Sequence, residues 1–180
     1  TPVLVRRPAS ADARRRASEI VEAHGGSSLA SMKLFDDKAY YFSPGGSMVA
    51  FVTKRRAALA LGDPIGPPDD VEATIQGFQR MCSGNDWVPV FYQVLPDHLE
   101  VYHRAGFERL CVGQEAIIDL AGFSLEGREG KDFRSAVHRL GRLGYRAEVQ
   151  PPPIPAALLS ELRQVSDEWL TLVHGTEKRF

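Results

Sequence analysis

The chain has 180 residues, a formal net charge of −1 at pH 7, 43% apolar and 25% charged residues, which excludes a disordered chain and leaves room for a real core. With the net charge near zero, any grip on a polyanion has to come from local patches and not from a global field. Cys82 and Cys111 are the only cysteines, so there is neither a disulfide framework nor paired Cys/His metal spacing, as suits a reducing compartment. No apolar run approaches the roughly 20 residues of a membrane-spanning helix. The chain opens with Thr1 and no signal peptide, and reads as a piece of a longer protein.

Residues 1–8 read as extended or loose. Ser10 is a good N-cap for a helix over residues 11–24, closed by Gly25 and Gly26, with Ala13, Ala17, Ile20, Val21 and His24 as its inner stripe. Arg14, Arg15 and Arg16 oppose the helix dipole and read as a solvated face, with an anion contact as the alternative. A hairpin follows, residues 38–42 and 48–53 joined by Ser43-Pro44-Gly45-Gly46. Residues 57–61 form a third, small-residue strand that ends in a rigid Gly/Pro turn over 62–68. Asp69 caps a helix over 71–83. The nearly all-apolar run 87–94 reads as a central strand buried on both faces. Pro96 starts a short helix through Arg104, and residues 107–112 and 116–120 read as a hairpin turning at Gly113-Gln114.

The stretch 127–145 carries the most distinctive pattern. At helical spacing Lys131, Arg134, His138 and Arg142 share one face with Arg139 on its flank, and Phe133, Ala136, Val137, Leu140 and Leu143 share the other. The helix is expected to rest on a core and offer a row of cations to RNA phosphates or an anionic lipid surface; a plain solvated face is the alternative. Residues 145–150 read as one more strand, Pro151–Pro153 as a stiff spacer, and Pro155 as the start of a last helix. Its apolar stripe of Leu158, Leu162, Val165, Trp169 and Leu172 calls for a partner surface, either its own domain or a second copy in a homodimer.

Mixed strands and helices of this kind make an α/β (α+β) domain on one mixed central sheet flanked by helices. Tyr102-His103-Arg104-Ala105-Gly106-Phe107 resembles the helix-to-strand corner of the GCN5-related N-acetyltransferase fold. A narrower resemblance is carried by Leu61-Gly62-Asp63-Pro64-Ile65-Gly66, Pro89-Val90-Phe91-Tyr92-Gln93-Val94, Gly113-Gln114-Glu115-Ala116, Phe123-Ser124-Leu125-Glu126-Gly127 and residues 134–145. Ser166-Asp167-Glu168-Trp169-Leu170 and Glu177-Lys178-Arg179-Phe180 continue it. These segments resemble, in order from about Ala30, the cytoplasmic catalytic domain of the phosphatidylglycerol lysyltransferase (multiple peptide resistance factor) family. The resemblance implies two acyltransferase-like halves in tandem across a basic helix: a first domain over 1–127, a connecting helix and strand over 128–150, and the start of a truncated second domain over 151–180. It implies transfer of an amino acid, most often lysine, from aminoacyl-tRNA to phosphatidylglycerol at the inner face of the cell membrane. The chain departs from the pattern at His138-Arg139, where Asn-Arg is usual, at Arg179, where Gly is usual, and in ending where the second half has barely begun.

Such a transfer exchanges one ester for another, so it requires no cofactor; it requires proton withdrawal from the incoming hydroxyl, donors at the carbonyl oxygen and positioning of two anionic substrates. Lys131, Arg134, His138, Arg139 and Arg142 suit the positioning of tRNA or lipid phosphate. Asp63, in its Gly/Pro turn, is a candidate base or amine-binding group, or a turn-former bonded to its own backbone. Tyr102 is a candidate proton donor, or a core Tyr with its hydroxyl satisfied. Tyr92 and Gln93 close the apolar strand. His98 and His103, five apart, miss the helical register of a metal pair, so no metal site is expected. Glu115 and Asp119 read as rim or surface acids. Two rivals stand beside this reading. One is a coenzyme-A-dependent N-acetyltransferase, although the pyrophosphate loop is missing and Asp69, Asp70 and Glu72 open the helix where it belongs. The other is a non-catalytic module that docks tRNA or membrane.

Overall fold

Apolar residues on both sides of the Ser43–Gly46 turn form the first pair of a four-stranded sheet of order β1-β2-β3-β4, comprising β1 (Ala39–Phe42), β2 (Met48–Lys54), β3 (Ala57–Leu61) and β4 (Val88–Tyr92). β1 and β3 run antiparallel to β2, with Tyr41 opposite Val49 and Val52 opposite Leu59. β4 runs parallel to β3, with Ala57 opposite Val88 and Leu61 opposite Tyr92. A parallel pair needs a crossover, and helix α2 (Val71–Gly84) supplies it. The structure, a computed structural model, describes residues 9–173 and 175, and the chain divides into the units Thr1–Val112 and Gly113–Phe180.

In the first unit, α2 lies on the sheet face made by Val49, Phe51, Ala58 and Ala60. Phe78 projects from α2 into that face, its ring 5.2 Å from Phe51 and 5.4 Å from Phe91 at edge-on angles. The two alanines leave the depth that this large side chain fills. Gly77 is small for a similar reason: a Cβ there would stand 2.0 Å from the Tyr41 hydroxyl, so the Tyr41 ring would have to give way. A second cluster joins Ala17 of α1 (Ala11–His24) with Ala30, Met48 and Ile65. A third joins Val71 and Ile75 of α2 with Tyr102 of α3 (Leu99–Arg104).

Several local expectations hold. The Ser10 side chain accepts from the Ala13 N–H at 3.2 Å, which caps α1 as its sequence suggests. The arginines after it are used within the fold: Arg14 pairs with Asp36, Arg15 with Asp12 at 2.9 Å, and Arg16 lies 4.4 Å above the Phe42 ring. Asp70, not Asp69, stands at the N-cap position of α2. Its carboxylate bridges the hairpin and the helix, accepting from the Ser43 hydroxyl and, at 3.1 Å each, from the Ser47 N–H and the Thr74 hydroxyl of α2. Burial works to raise the Asp70 carboxyl, but these hydrogen bonds together hold it below the usual carboxylate range.

Four further expectations fail. The run 87–94 is not central: β4 forms one edge of the described sheet and alternates between exposed and half-buried, with Val88 59% exposed. Residues 107–112 and 116–120 form no hairpin, and residues 145–150 form no strand. Leu110, Ile117 and Leu120 are exposed. Apolar alternation states a preference for strand; a strand forms only where a neighbouring backbone accepts its ladder, and among the described residues β4 receives a partner on one side alone. The fourth concerns helix α4 (Lys131–Arg142), none of whose residues is buried. The second unit also contains α5 (Ala156–Leu172). The readings made at residues 1–8 and in the Glu177–Phe180 motif lie outside the described residues.

Candidate functional site

The first candidate surface is α4 itself. Gly130 precedes it, Asp132 sits in its first turn and Arg139 and Arg142 in its last, so the end charges follow the helix dipole. From Gly127 to Arg146 six Lys or Arg residues stand against two acids, Glu129 and Asp132. Among the described residues, no carboxylate lies within ion-pair distance of Lys131, His138, Arg139 or Arg142. Arg134 differs from them. Its guanidinium donates to the carbonyls of Leu125 and Gly127, the latter at 2.9 Å, and so ties the preceding turn to the helix. The apolar stripe is as open as the cationic one: Phe133 is 52% exposed and meets Phe123 edge-on at 5.7 Å, and Leu143 is 67% exposed.

The second candidate lies where β3 and β4 end side by side, the carboxyl edge of a parallel pair, where α/β sheets bind ligands. Gly62 leaves β3 with φ +60°, a left-handed turn that glycine enters at no steric cost, and its N–H donates to the Tyr92 carbonyl at 2.6 Å. Gln93 leaves β4 with φ 60°, uncommon for a residue with a Cβ. Between them stands Asp63. It is not the self-bonded turn-former that its Pro neighbour suggests. Its Oδ1 accepts from the Tyr102 hydroxyl at 3.0 Å and its Oδ2 from the Leu95 N–H at 2.9 Å, partners 39 and 32 residues away. The sequence-derived candidates Asp63 and Tyr102 are therefore in direct contact. Tyr102 is buried against Phe91 and Phe107; burial first, then the Asp63 charge, push its hydroxyl far above the usual tyrosine range, so it acts as a fixed donor.

Sequence reasoning missed Lys33. It lies in a 3-10 turn (Ser31–Leu34), is 1% exposed, and its ammonium donates to the Asp63 backbone carbonyl. Burial pushes its pKa down to about 8, with the Asp63 charge working against the fall. A Lys among Leu29, Met32 and Leu34 gives a weak hint of burial; nothing in the sequence links it to a carboxyl residue thirty positions on. The α2 start carries Asp69 and Asp70, whose charges disfavour a pyrophosphate there, while Glu72 pairs with Arg104 at 2.8 Å. Glu115 and Asp119 are exposed, outside any strand. No three His, Cys, Asp or Glu residues among those described are grouped to hold a metal ion, and none of their helices is long and apolar enough to cross a membrane.

The family model described as phosphatidylglycerol lysyltransferase, C-terminal, matches residues 18–180. A phosphatidylglycerol lysyltransferase of Bacillus subtilis is 33% identical over 161 residues, covering 89% of this chain and 19% of its own length. One from Staphylococcus epidermidis is 30% identical over 152 residues, 84% of this chain and 18% of its own. Among solved structures, L-PGS from Bacillus licheniformis superposes with a TM-score of 0.82 at 30% identity, over 98% of this chain and 55% of that one. The C-terminal domain of a putative lysylphosphatidylglycerol synthetase from Agrobacterium fabrum does so with a TM-score of 0.86 at 30% identity, over 94% and 53%. The chain thus spans about a fifth of the curated relatives' length and just over half of the solved domains.

Proposed function

The chain belongs to the family of phosphatidylglycerol lysyltransferase C-terminal domains, and on that footing we propose that it serves transfer of an amino acid, lysine first, from aminoacyl-tRNA to phosphatidylglycerol at the cytoplasmic face of the membrane. In that reaction a glycerol hydroxyl oxygen of the lipid attacks the ester carbonyl of the aminoacyl group. The new ester bond forms, the bond to the ribose oxygen breaks, and the proton lost by the glycerol hydroxyl is balanced by the one gained by the ribose. Because the donor is already activated, the work lies in bringing two anionic substrates together. The observation that carries this reading is the α4 face, where Lys131, His138, Arg139 and Arg142 stand exposed with no carboxylate within ion-pair distance among the described residues. Arg134 holds the turn that presents them.

The reading extends to organisation. We take residues 1–127 as the first acyltransferase-like domain, 128–150 as the connecting basic segment and 151–180 as the start of the second. Catalytic groups beyond these residues complete the machinery, a view supported by the span of the solved relatives, of which this chain covers just over half. The isolated chain is then expected to bind both substrates and to turn over weakly or not at all. Replacing Lys131, His138, Arg139 and Arg142 by Glu is expected to weaken tRNA retention on filters and sedimentation with anionic vesicles by about tenfold or more, since each lost phosphate contact removes a share of a salt-dependent term. Unchanged binding of both would refute the assignment of this face.

A further inference from the structure

We infer that the carboxyl edge of β3 and β4 is an ammonium-binding subsite in which the Asp63 carboxylate accepts the amine of an aminoacyl group, with Lys33 beneath it as a positioning residue. This deepens the reading above and rests on it for the identity of the ligand. The carboxylate is built to be aimed. Each of its oxygens is held by one donor from a different element, Tyr102 of α3 and the Leu95 N–H after β4, and Asp63 itself is only half-buried. An ionised carboxylate has about four acceptor directions, so two donors leave room for a third, and a lysine ammonium is the donor that gains charge as well as a hydrogen bond. The backbone of Asp63 is held too. Its carbonyl accepts from the buried Lys33 ammonium, and the residue before it, Gly62, makes the left-handed turn that glycine adopts without steric cost.

A carboxylate serving only to staple two loops would not need a lysine in a position 1% exposed, where burial costs the ammonium. Its presence gives the subsite a signature that a staple lacks. Asp63 is the charged group acting on the Lys33 ammonium, whereas Arg14, Asp36 and Asp37 act on the neighbouring Tyr40. With Lys33 charged, Asp63 and Lys33 cancel; with Lys33 neutral, above about pH 8, the subsite carries a net negative charge and holds a cation better.

The test uses Nα-acetyl-lysinamide, whose single ionisable group is the side-chain ammonium, and Nα-acetyl-norleucinamide as the uncharged control, with the Leu95 amide resonance of the 180-residue chain as reporter. Saturable shifts are expected with the lysine compound and none with the control. In the wild type its affinity should rise by several-fold between pH 7 and pH 9, following the Lys33 titration near about 8, and stay flat in Lys33→Met. Asp63→Asn should weaken binding of the lysine compound by about tenfold. Absence of saturable binding in the wild type, equal binding of the norleucine compound, or an identical pH profile in Lys33→Met would each overturn the subsite, and the first two need no variant to fold. Unchanged tRNA and vesicle binding in the α4 variant would refute the α4 reading alone, so the two proposals fail separately.

Discussion

At the scale of single residues, the buried Lys33 makes a thermodynamic demand. Its pKa is about 8 in the folded chain and 10.5 when free, so between those values the unfolded state binds the extra proton. Stability therefore rises with pH through this window, and below about pH 8 the whole burial cost is present. The size is on the order of 3 kcal/mol, because each tenfold loss of proton affinity is worth about 1.36 kcal/mol. Urea unfolding at pH 7 and pH 9.5 should show the wild type gaining on Lys33→Met, whose isosteric apolar side chain has no proton to release. A constant difference between the two proteins would mean that Lys33 does not titrate in this range. Cys82 is a contrasting case: burial pushes its thiol up to about 12, so it packs as a small apolar group and presents no thiolate.

At the scale of elements, α4 and α5 are both amphipathic and both open, yet their charges send them to different partners. α4 brackets its apolar stripe with cations, so its binding should fall steeply with added salt, the slope shrinking as cations are removed. α5 carries Glu161, Asp167 and Glu168 against Arg163 on its polar side, which disfavours an anionic lipid surface. Its stripe of Leu162, Val165 and Trp169, with Trp169 59% exposed, suits a protein surface, and in the isolated chain we propose a second copy as that surface. Light scattering over a range of concentrations should show mass rising toward a dimer, and Trp169→Glu should hold the chain monomeric. A mass independent of concentration would remove the dimer.

At the scale of the molecule, stability concentrates in the first unit, where α2 and the four strands share one packed layer. Phe78, fully buried against Phe51 and Phe91, should cost about 3–5 kcal/mol on replacement by Ala, read as a shift in the urea midpoint. Ile117→Ser, at a position 84% exposed, should stay within about 0.5 kcal/mol. Equal effects at the two sites would contradict the placement of the core.

Much of this was legible from the order of residues. Ser10 as a cap, the hairpin around Ser43–Gly46, the alanine strand and the two faces of α4 all follow from local preference and spacing, because helix and turn chemistry acts within a few residues. Family membership was legible too, being carried by motifs in the chain itself. Tertiary structure alone decided that β4 lies at the edge of the described sheet, that residues 107–120 form no strand, and that Asp70 ties its helix to the hairpin. It alone brought Lys33, Asp63 and Tyr102 together. The β3–β4 pairing and the Asp63 contacts join groups thirty or more positions apart, and such a contact depends on where the backbone has been carried, which no local periodicity encodes.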